Sequence, residues 1–459
     1  MKKAIIVGAG LAGPLLAILL KKNGWNVQLI EKRADPRING TYHGRSINLA
    51  LARRGINALM AAGMDSEIMS IALPMAGRMV HIKDILPKLH PYGVGPDEVI
   101  WSIHRGRLNE YLLNEVDRLE IPMHFSCQIS SIEFSTSSLE TDGGLSFDYD
   151  LLVGADGADS YVRSQLSNSV DLKLTRHLFP HGYKELEIPS VNNSDHAIEP
   201  NALHVWPRGD YMCIALPNTE GTFTVTLFMR HSAQSDTEPS FAKIQTGEQA
   251  RAFFDLNFPD LSRLLPGLEK DYATNPTGSL STTTMDSWQG HGNIVLVGDA
   301  AHPMVPFHGQ GMNCAFEDVL SLFDEINNSP QDISSAICRY ENDRKPNAIA
   351  IQNMAIENYH EMSARVAHND YLIERELSEI LSVEFPDRFV SRYRMVTFML
   401  MPYDLAYRRG AIQQDILKRH TKYCSHIDEV DIDAVRKDVQ NQLPTIALKY
   451  IKKGVDSVQ

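Results

Sequence analysis

The stretch Lys3-Ala4-Ile5-Ile6-Val7-Gly8-Ala9-Gly10-Leu11-Ala12-Gly13 decides how this chain folds. Lys3 to Val7 is aliphatic and reads as a short buried strand, and Gly8-x-Gly10-x-x-Gly13 follows it directly. Gly10 to Asn23 then predicts a helix, and Val27 to Ile30 a second strand that ends at Glu31. Strand, glycine turn, helix and strand in this order make a βαβ unit with parallel strands. The turn aims backbone N–H groups and the positive end of a helix dipole at a pyrophosphate, and its glycines let the main chain come close. An acid closing the second strand accepts hydrogen bonds from ribose hydroxyls. Gly8, Gly10, Leu11, Ala12, Gly13, Glu31 and Arg33 are therefore candidate dinucleotide-binding residues. Lys2 and Lys3 before an apolar run also resemble a signal peptide or a membrane span. Against that, the run falls short of the roughly 20 residues a span needs, contains Pro14, and spaces its glycines for a nucleotide.

Further along the chain, two more apolar strands run into tight turns. Leu151 to Val153 leads into Gly154-Ala155-Asp156-Gly157, and Ile294 to Val297 into Gly298-Asp299. Both turns lie at carboxyl ends of strands, where open α/β sheets bind ligands. Between them, Gly182 to Ile188, Ala202 to Trp206, Tyr211 to Leu216 and Phe223 to Met229 read as an inserted antiparallel sheet. After Gly311 the pattern turns helical, with a long segment near Ile333 to Val366 and further helices to Ile451. The expected organisation is α/β: a Rossmann-like dinucleotide-binding domain in two parts (1–175 and 286–370), a β-sheet substrate domain (176–285) and a C-terminal helical region (371–459).

With 459 residues and 43% hydrophobic content the chain can bury a bulky cofactor. A formal net charge of -13 argues against nucleic acid, whose binding needs clustered Lys and Arg. Five scattered cysteines with no C-x-x-C suggest neither a disulfide framework nor a metal site, so no metal is expected and a reducing cytoplasm suits the chain. No other apolar stretch is long enough to span a bilayer, so no membrane partner is expected.

The glycine fingerprint alone does not separate FAD from NAD; the later turns do. Gly154-Ala155-Asp156-Gly157 with Arg163 resembles the second signature of the FAD-dependent aromatic hydroxylases, and Gly298-Asp299-Ala300-Ala301-His302-Pro303 their third. Arg45 to Leu51, Gly77-Arg78-Met79-Val80-His81, His181 to Leu186, Asp210 to Pro217, Pro306-Phe307-His308-Gly309-Gln310-Gly311-Met312-Asn313 and Glu357-Asn358-Tyr359 resemble the bacterial kynurenine 3-monooxygenases of that family. The resemblance implies FAD as cofactor, with NADPH, dioxygen and L-kynurenine as substrates, and 3-hydroxylation through a flavin C4a-hydroperoxide. It implies cofactor roles for Arg45, Arg105, Asp156, Gly157, Arg163, Gly298, Asp299, Pro306, Gly311, Met312 and Asn313. Arg78, Tyr92 and Asn358 would hold the amino-acid end of the substrate, with Arg offering a carboxylate a bidentate fork. Leu203, Met212, Leu216, Phe228, Pro306, Phe307, Met362 and Tyr393 would form the rest of the substrate pocket.

No dedicated catalytic base stands out. His308 is the candidate for proton relay, beside the alternative that it only hydrogen-bonds backbone. The aromatic amine of kynurenine already enriches its ortho carbon, so attack needs no strong base. A monomer or homodimer is expected. Two other readings stay open: a related flavin hydroxylase for another amino-substituted or phenolic acid, and a non-catalytic flavin-binding sensor.

Overall fold

The computed structural model describes residues 1–38, 48–364 and 369–451, with main chain only at 361–364, 369–372, 448 and 451. Lys3–Val7 is a strand, Ala12–Lys22 a helix and Asn26–Ile30 the next strand, as the opening stretch predicts. The helix begins two residues later than expected because Gly10 and Leu11 are still turning. The two strands pair in parallel, Ala4 opposite Val27 and Val7 opposite Ile30. Leu151–Gly154 flanks the first strand on its other side and Ile294–Leu296 lies beyond, both parallel. Two-residue strands complete this six-stranded sheet at its edges. All three turns named from the sequence thus emerge at one end of adjacent strands.

Close packing explains two of the glycines. Gly8 has φ of +107°, and a Cβ there would lie 2.4 Å from the Ala155 carbonyl oxygen; a Cβ on Gly13 would lie 2.0 Å from that of Gly8. Any side chain at either position forces the first helix off the sheet. The core beneath is aliphatic, with Leu15, Leu16, Ile18, Leu20, Leu151 and Val295 among its fully covered members.

A seven-stranded sheet stands over this body, and it differs from the expected insertion in two ways. Leu174–Ile188, Ala202–Pro207, Met212–Pro217, Phe223–Arg230 and Gly278–Met285 pair antiparallel. Two further strands, Gly77–Val80 and Lys88–Pro91, join from much earlier in the chain. Gly77–Val80 runs parallel to Ala202–Pro207, so the sheet is mixed rather than antiparallel. The pairing places Arg78 opposite Leu203 on one side and His90 on the other. Neither early strand is strongly apolar, and only the long-range pairing defines them.

The C-terminal half is helical: Gly311–Asn328, Ile333–Ala364, Asn369–Glu384, Arg392–Thr397, Tyr403–Thr421 and Ile432–Gln442 are its longer members. No helix among the described residues is long and apolar enough to cross a membrane.

Candidate functional site

Between the two large sheets lies one continuous cavity of about 1350 Å³. That exceeds the few hundred to about 1,000 Å³ typical of a small-molecule site, and it leaves room for a dinucleotide and a second, smaller ligand.

At its nucleotide end the wall comprises Gly8, Gly10, Leu11, Ala12, Glu31 and Arg33. A Cβ on Gly10 would project into open space, so its backbone faces the cavity. Glu31 holds the turn in shape: one carboxylate oxygen accepts from the Ala9 N–H at 2.9 Å and the other from the Arg33 N–H at 2.9 Å. Asn109 braces the same turn, donating to the carbonyls of Ala9 at 3.0 Å and Gly10 at 2.7 Å. Sequence reasoning passed over Asn109, four residues after Arg105 on the helix Arg105–Arg118. Arg105 itself lines the cavity. Gly13 points the other way, into the strand, and acts through packing.

Asp156, Gly157, Asp299, Pro306, Gly311 and Met312 also line the cavity. The Asp156 carboxylate accepts from the N–H groups of Tyr161 at 2.7 Å and Val162 at 3.2 Å and from the Ser160 hydroxyl at 2.5 Å. It therefore secures the start of the helix Tyr161–Ser169 while facing the cavity. Burial pushes its pKa up, and those donors pull it back. Arg163, buried behind this turn, donates to the carbonyls of Ala300 at 2.9 Å and of Ala158, and so ties the second signature to the third. Asp299 sits deep in the molecule, yet its side chain is open to the cavity. Gly298 has φ of +59° and turns the chain there.

Asn313 lies just behind the wall, fully buried. Its Oδ1 accepts from the Ala52 N–H at 2.8 Å and its Nδ2 donates to the Ala50 carbonyl at 2.8 Å. The side chain so fixes the start of the helix Gly311–Asn328, whose first N–H groups have no acceptor within the helix. A second buried network grips this helix further on. Arg344 pairs with Glu317 at 2.8 Å and with Asp318 at 2.8 Å, and Asp318 also bonds His302 at 2.5 Å and accepts from the Gly298 N–H at 3.2 Å. Charge from Arg344 and His302 holds Asp318 below the usual carboxylate range against its burial.

At the other end Arg78, Tyr92, Asn358 and Tyr393 converge with Leu203, Met212, Leu216, Phe228, Pro306, Phe307 and His308. Arg78 lies over two rings, 5.5 Å from Tyr92 and 5.3 Å from Tyr393, and those rings stack at 5.1 Å. Burial pushes both phenols up, so they remain neutral donors. Asn358 donates to the Phe307 carbonyl at 3.3 Å. His308 stacks on Tyr393 at 5.9 Å, and burial pushes its pKa down to about 3, leaving a neutral ring whose Nδ1 has no hydrogen-bond partner among the described residues. Tyr183, Ile214, His90 and Arg375 line this end as well and were not singled out from sequence; Tyr183 and Ile214 lay within quoted motifs, whereas nothing local marks His90 or Arg375. Arg45 lies outside the described residues. Met362 belongs to the helix Ile333–Ala364, and its side chain likewise lies outside them.

One bond joins two motifs that are far apart in sequence. His181 Nε2 faces the Asp210 carbonyl at 2.7 Å and must carry the proton there, so its Nδ1 accepts from the Tyr359 hydroxyl at 2.5 Å. That pins the turn carrying Asn358 onto the sheet.

The residues suit FAD: a glycine cradle open where a pyrophosphate would lie, acids at cavity-facing turns, and a helix amino end on the cavity wall. The FAD binding domain family matches residues 1–355. The kynurenine 3-monooxygenase of Stenotrophomonas maltophilia is 47% identical over 96% of this chain and 97% of its own. That of Xanthomonas axonopodis pv. citri is 45% identical over 95% and 96%. Among solved structures, the tetrameric form of 2-methyl-3-hydroxypyridine-5-carboxylic acid oxygenase superposes with a TM-score of 0.66 at 21% identity, over 80% of this chain and 94% of that one. PqsL, a probable FAD-dependent monooxygenase from Pseudomonas aeruginosa, gives 0.64 at 19%, over 79% and 97%. These two likenesses establish the aromatic-hydroxylase type of fold. The FAD binding domain match over residues 1–355, and near-complete alignment at almost half identity, place the chain in the FAD-dependent monooxygenase family, among the kynurenine 3-monooxygenases.

Proposed function

We propose that this chain hydroxylates L-kynurenine at the 3-position, using FAD, NADPH and dioxygen. The observation that carries the reading is the far end of the cavity, where Arg78, two stacked tyrosines and the Asn358 amide face a chamber whose other walls include Leu203, Met212, Leu216, Phe228 and Phe307. Arg78 offers a guanidinium fork to the substrate carboxylate, with the neutral Tyr92 hydroxyl beside it. Asn358 meets the amino-acid end, and Leu203, Met212, Leu216, Phe228, Pro306, Phe307 and Tyr393 enclose the aromatic ring. A simple aromatic acid would leave the polar capacity that Asn358 keeps beyond its bond to Phe307 unmatched, which favours an amino-acid side chain over the phenolic acids of related hydroxylases.

FAD bound in the glycine cradle would supply the oxygen chemistry. Gly8, Gly10 and Gly157 would bring main chain to its phosphates, Glu31 and Asp299 would accept from its hydroxyls, and Arg33, Arg105 and Arg163 would balance charge. Gly311, Met312 and Asn313 would turn backbone N–H groups toward negative charge on the reduced ring. The chain's other task is to exclude water, which the apolar lining performs. His308 suits a neutral wall better than a proton store, because its ring charges only well below neutral pH. We further propose a bacterial cytoplasm and a monomer or homodimer; all five cysteines are free, which suits a reducing compartment.

The test is incubation of FAD-loaded protein with NADPH, oxygen and L-kynurenine, with product identified by mass spectrometry. 3-Hydroxykynurenine is the expected product. NADPH consumption that yields only hydrogen peroxide would make kynurenine an uncoupling ligand, and no consumption at all would sink the hydroxylase reading.

A further inference from the structure

Gln310 directly precedes the helix Gly311–Asn328 and lines the cavity, although the residue is only 3% exposed. Its Oε1 accepts from the Tyr403 hydroxyl at 3.0 Å. Among the described residues that hydroxyl has no other acceptor, and Gln310 Nε2 has no protein partner. Turning the amide over would leave the buried Tyr403 proton without an acceptor, so the orientation with Oε1 toward Tyr403 is the stable one. Nε2 is not sealed among protein atoms either, so its open surface is toward the cavity. A buried amide donor thus stands next to the first N–H groups of an 18-residue helix, where negative charge is already favoured.

Tyr403 is held for this task. The fully covered Arg54 guanidinium lies 3.9 Å from the centre of its ring. Arg54 in turn pairs with Glu317 and donates to the carbonyls of Val396 at 3.2 Å and Met401. Moving the ring away would forfeit that stacking on a guanidinium which is itself fixed.

We propose that the Gln310 amide, oriented by Tyr403, is a further hydrogen-bond donor to the negatively charged edge of the reduced flavin. The inference rests on the FAD reading above and assigns Tyr403 as a positioning residue. A donor there favours the reduced, more negative form over the oxidised one, so it raises the reduction potential.

The experiment is the two-electron midpoint potential of bound FAD in the holoenzyme, measured for the unmodified protein, Gln310→Leu and Tyr403→Phe. Gln310→Leu should weaken reduced relative to oxidised FAD by about tenfold, a fall of about 30 mV. Tyr403→Phe should shift it in the same direction by less, because the amide remains but is free to turn over. If Gln310→Leu fails to retain FAD, the near-isosteric Tyr403→Phe decides alone, and an unshifted potential there overturns the proposal. An unshifted potential in a folded Gln310→Leu holoenzyme overturns it too. Unmodified protein that holds no FAD removes the underlying reading and this one together. A protein that turns over kynurenine with unshifted variants loses this inference only.

Discussion

Arg78 shows what a single residue contributes that its neighbours cannot replace. It stands on a short strand, over two stacked tyrosines, with the uncharged His90 opposite it in register; burial and the nearby Arg375, Lys88 and Arg78 charges hold His90 below its usual range. Hydrogen bonds to a charged group contribute about 1.5–3 kcal/mol, so Arg78→Ala should raise KM for kynurenine roughly 10- to 100-fold while FAD content stays unchanged. Arg78→Lys should recover little, because an ammonium lacks the planar fork. Steady-state kinetics beside flavin absorbance checks both, and unchanged saturation by kynurenine would remove Arg78 from the site. His308 has a folded-state pKa of about 3, below its ordinary 6.5. Its neutral burial stabilises the fold above the unfolded value, and that contribution is lost as pH falls from about 6.5 toward 3. Between pH 7 and 9 it does not titrate, so His308→Gln should leave the shape of the pH–rate profile there intact. A lost limb in that range would restore the proton-relay role.

At the scale of elements, the contact between the first helix and its strand and the buried charges under the third turn matter most. A Cβ at Gly13 overlaps the Gly8 carbonyl at 2.0 Å, and Gly13→Ala should abolish FAD retention even where the protein still folds; a fully flavinated variant would contradict this packing argument. The helix Gly311–Asn328 is gripped through Glu317 and Asp318 by Arg54 and Arg344. Removing one partner of a buried pair strands the other, at a cost of about 3–5 kcal/mol. Arg344→Ala should therefore unfold at markedly lower denaturant than the unmodified protein, whereas Arg419→Ala, which removes only solvent-exposed ion pairs, should leave the midpoint almost unmoved. Asp318 has a lowered folded-state pKa, so its contribution is present above the unfolded carboxylate value near 3.8 and disappears as pH falls through the folded one.

For the whole molecule, the cavity lies between two sheets and is closed by helices from the last quarter of the chain. A ligand held there stabilises every body that lines it. FAD at a hundred times its dissociation constant should add about 2.7 kcal/mol, seen as a higher thermal midpoint with the C-terminal helices melting in the same transition. Separate melting of those helices would show that Arg54 and Tyr403 couple them less tightly than their contacts imply.

The βαβ opening, the two later strand–turn units and the helical second half were legible in the sequence, because strand and helix periods and glycine turns are local properties. Gly8, Gly10 and Gly13 announce their task through spacing alone. Arg78, Tyr92, Asn358 and Tyr393 carry no such mark: 315 positions separate Arg78 from Tyr393, and only resemblance to a family brought them together on paper. Asn109, Gln310 and the His181–Tyr359 bond were not legible, since a side chain that braces a distant backbone leaves no periodic trace. The sequence by itself determined where the chain turns and which segments must be covered. The tertiary structure alone decided that Gly77–Val80 pairs with Ala202–Pro207 and that helices from opposite ends of the chain share one chamber. Those pairings are chosen by burial and hydrogen bonding between remote segments, and such energies exist only once the segments meet.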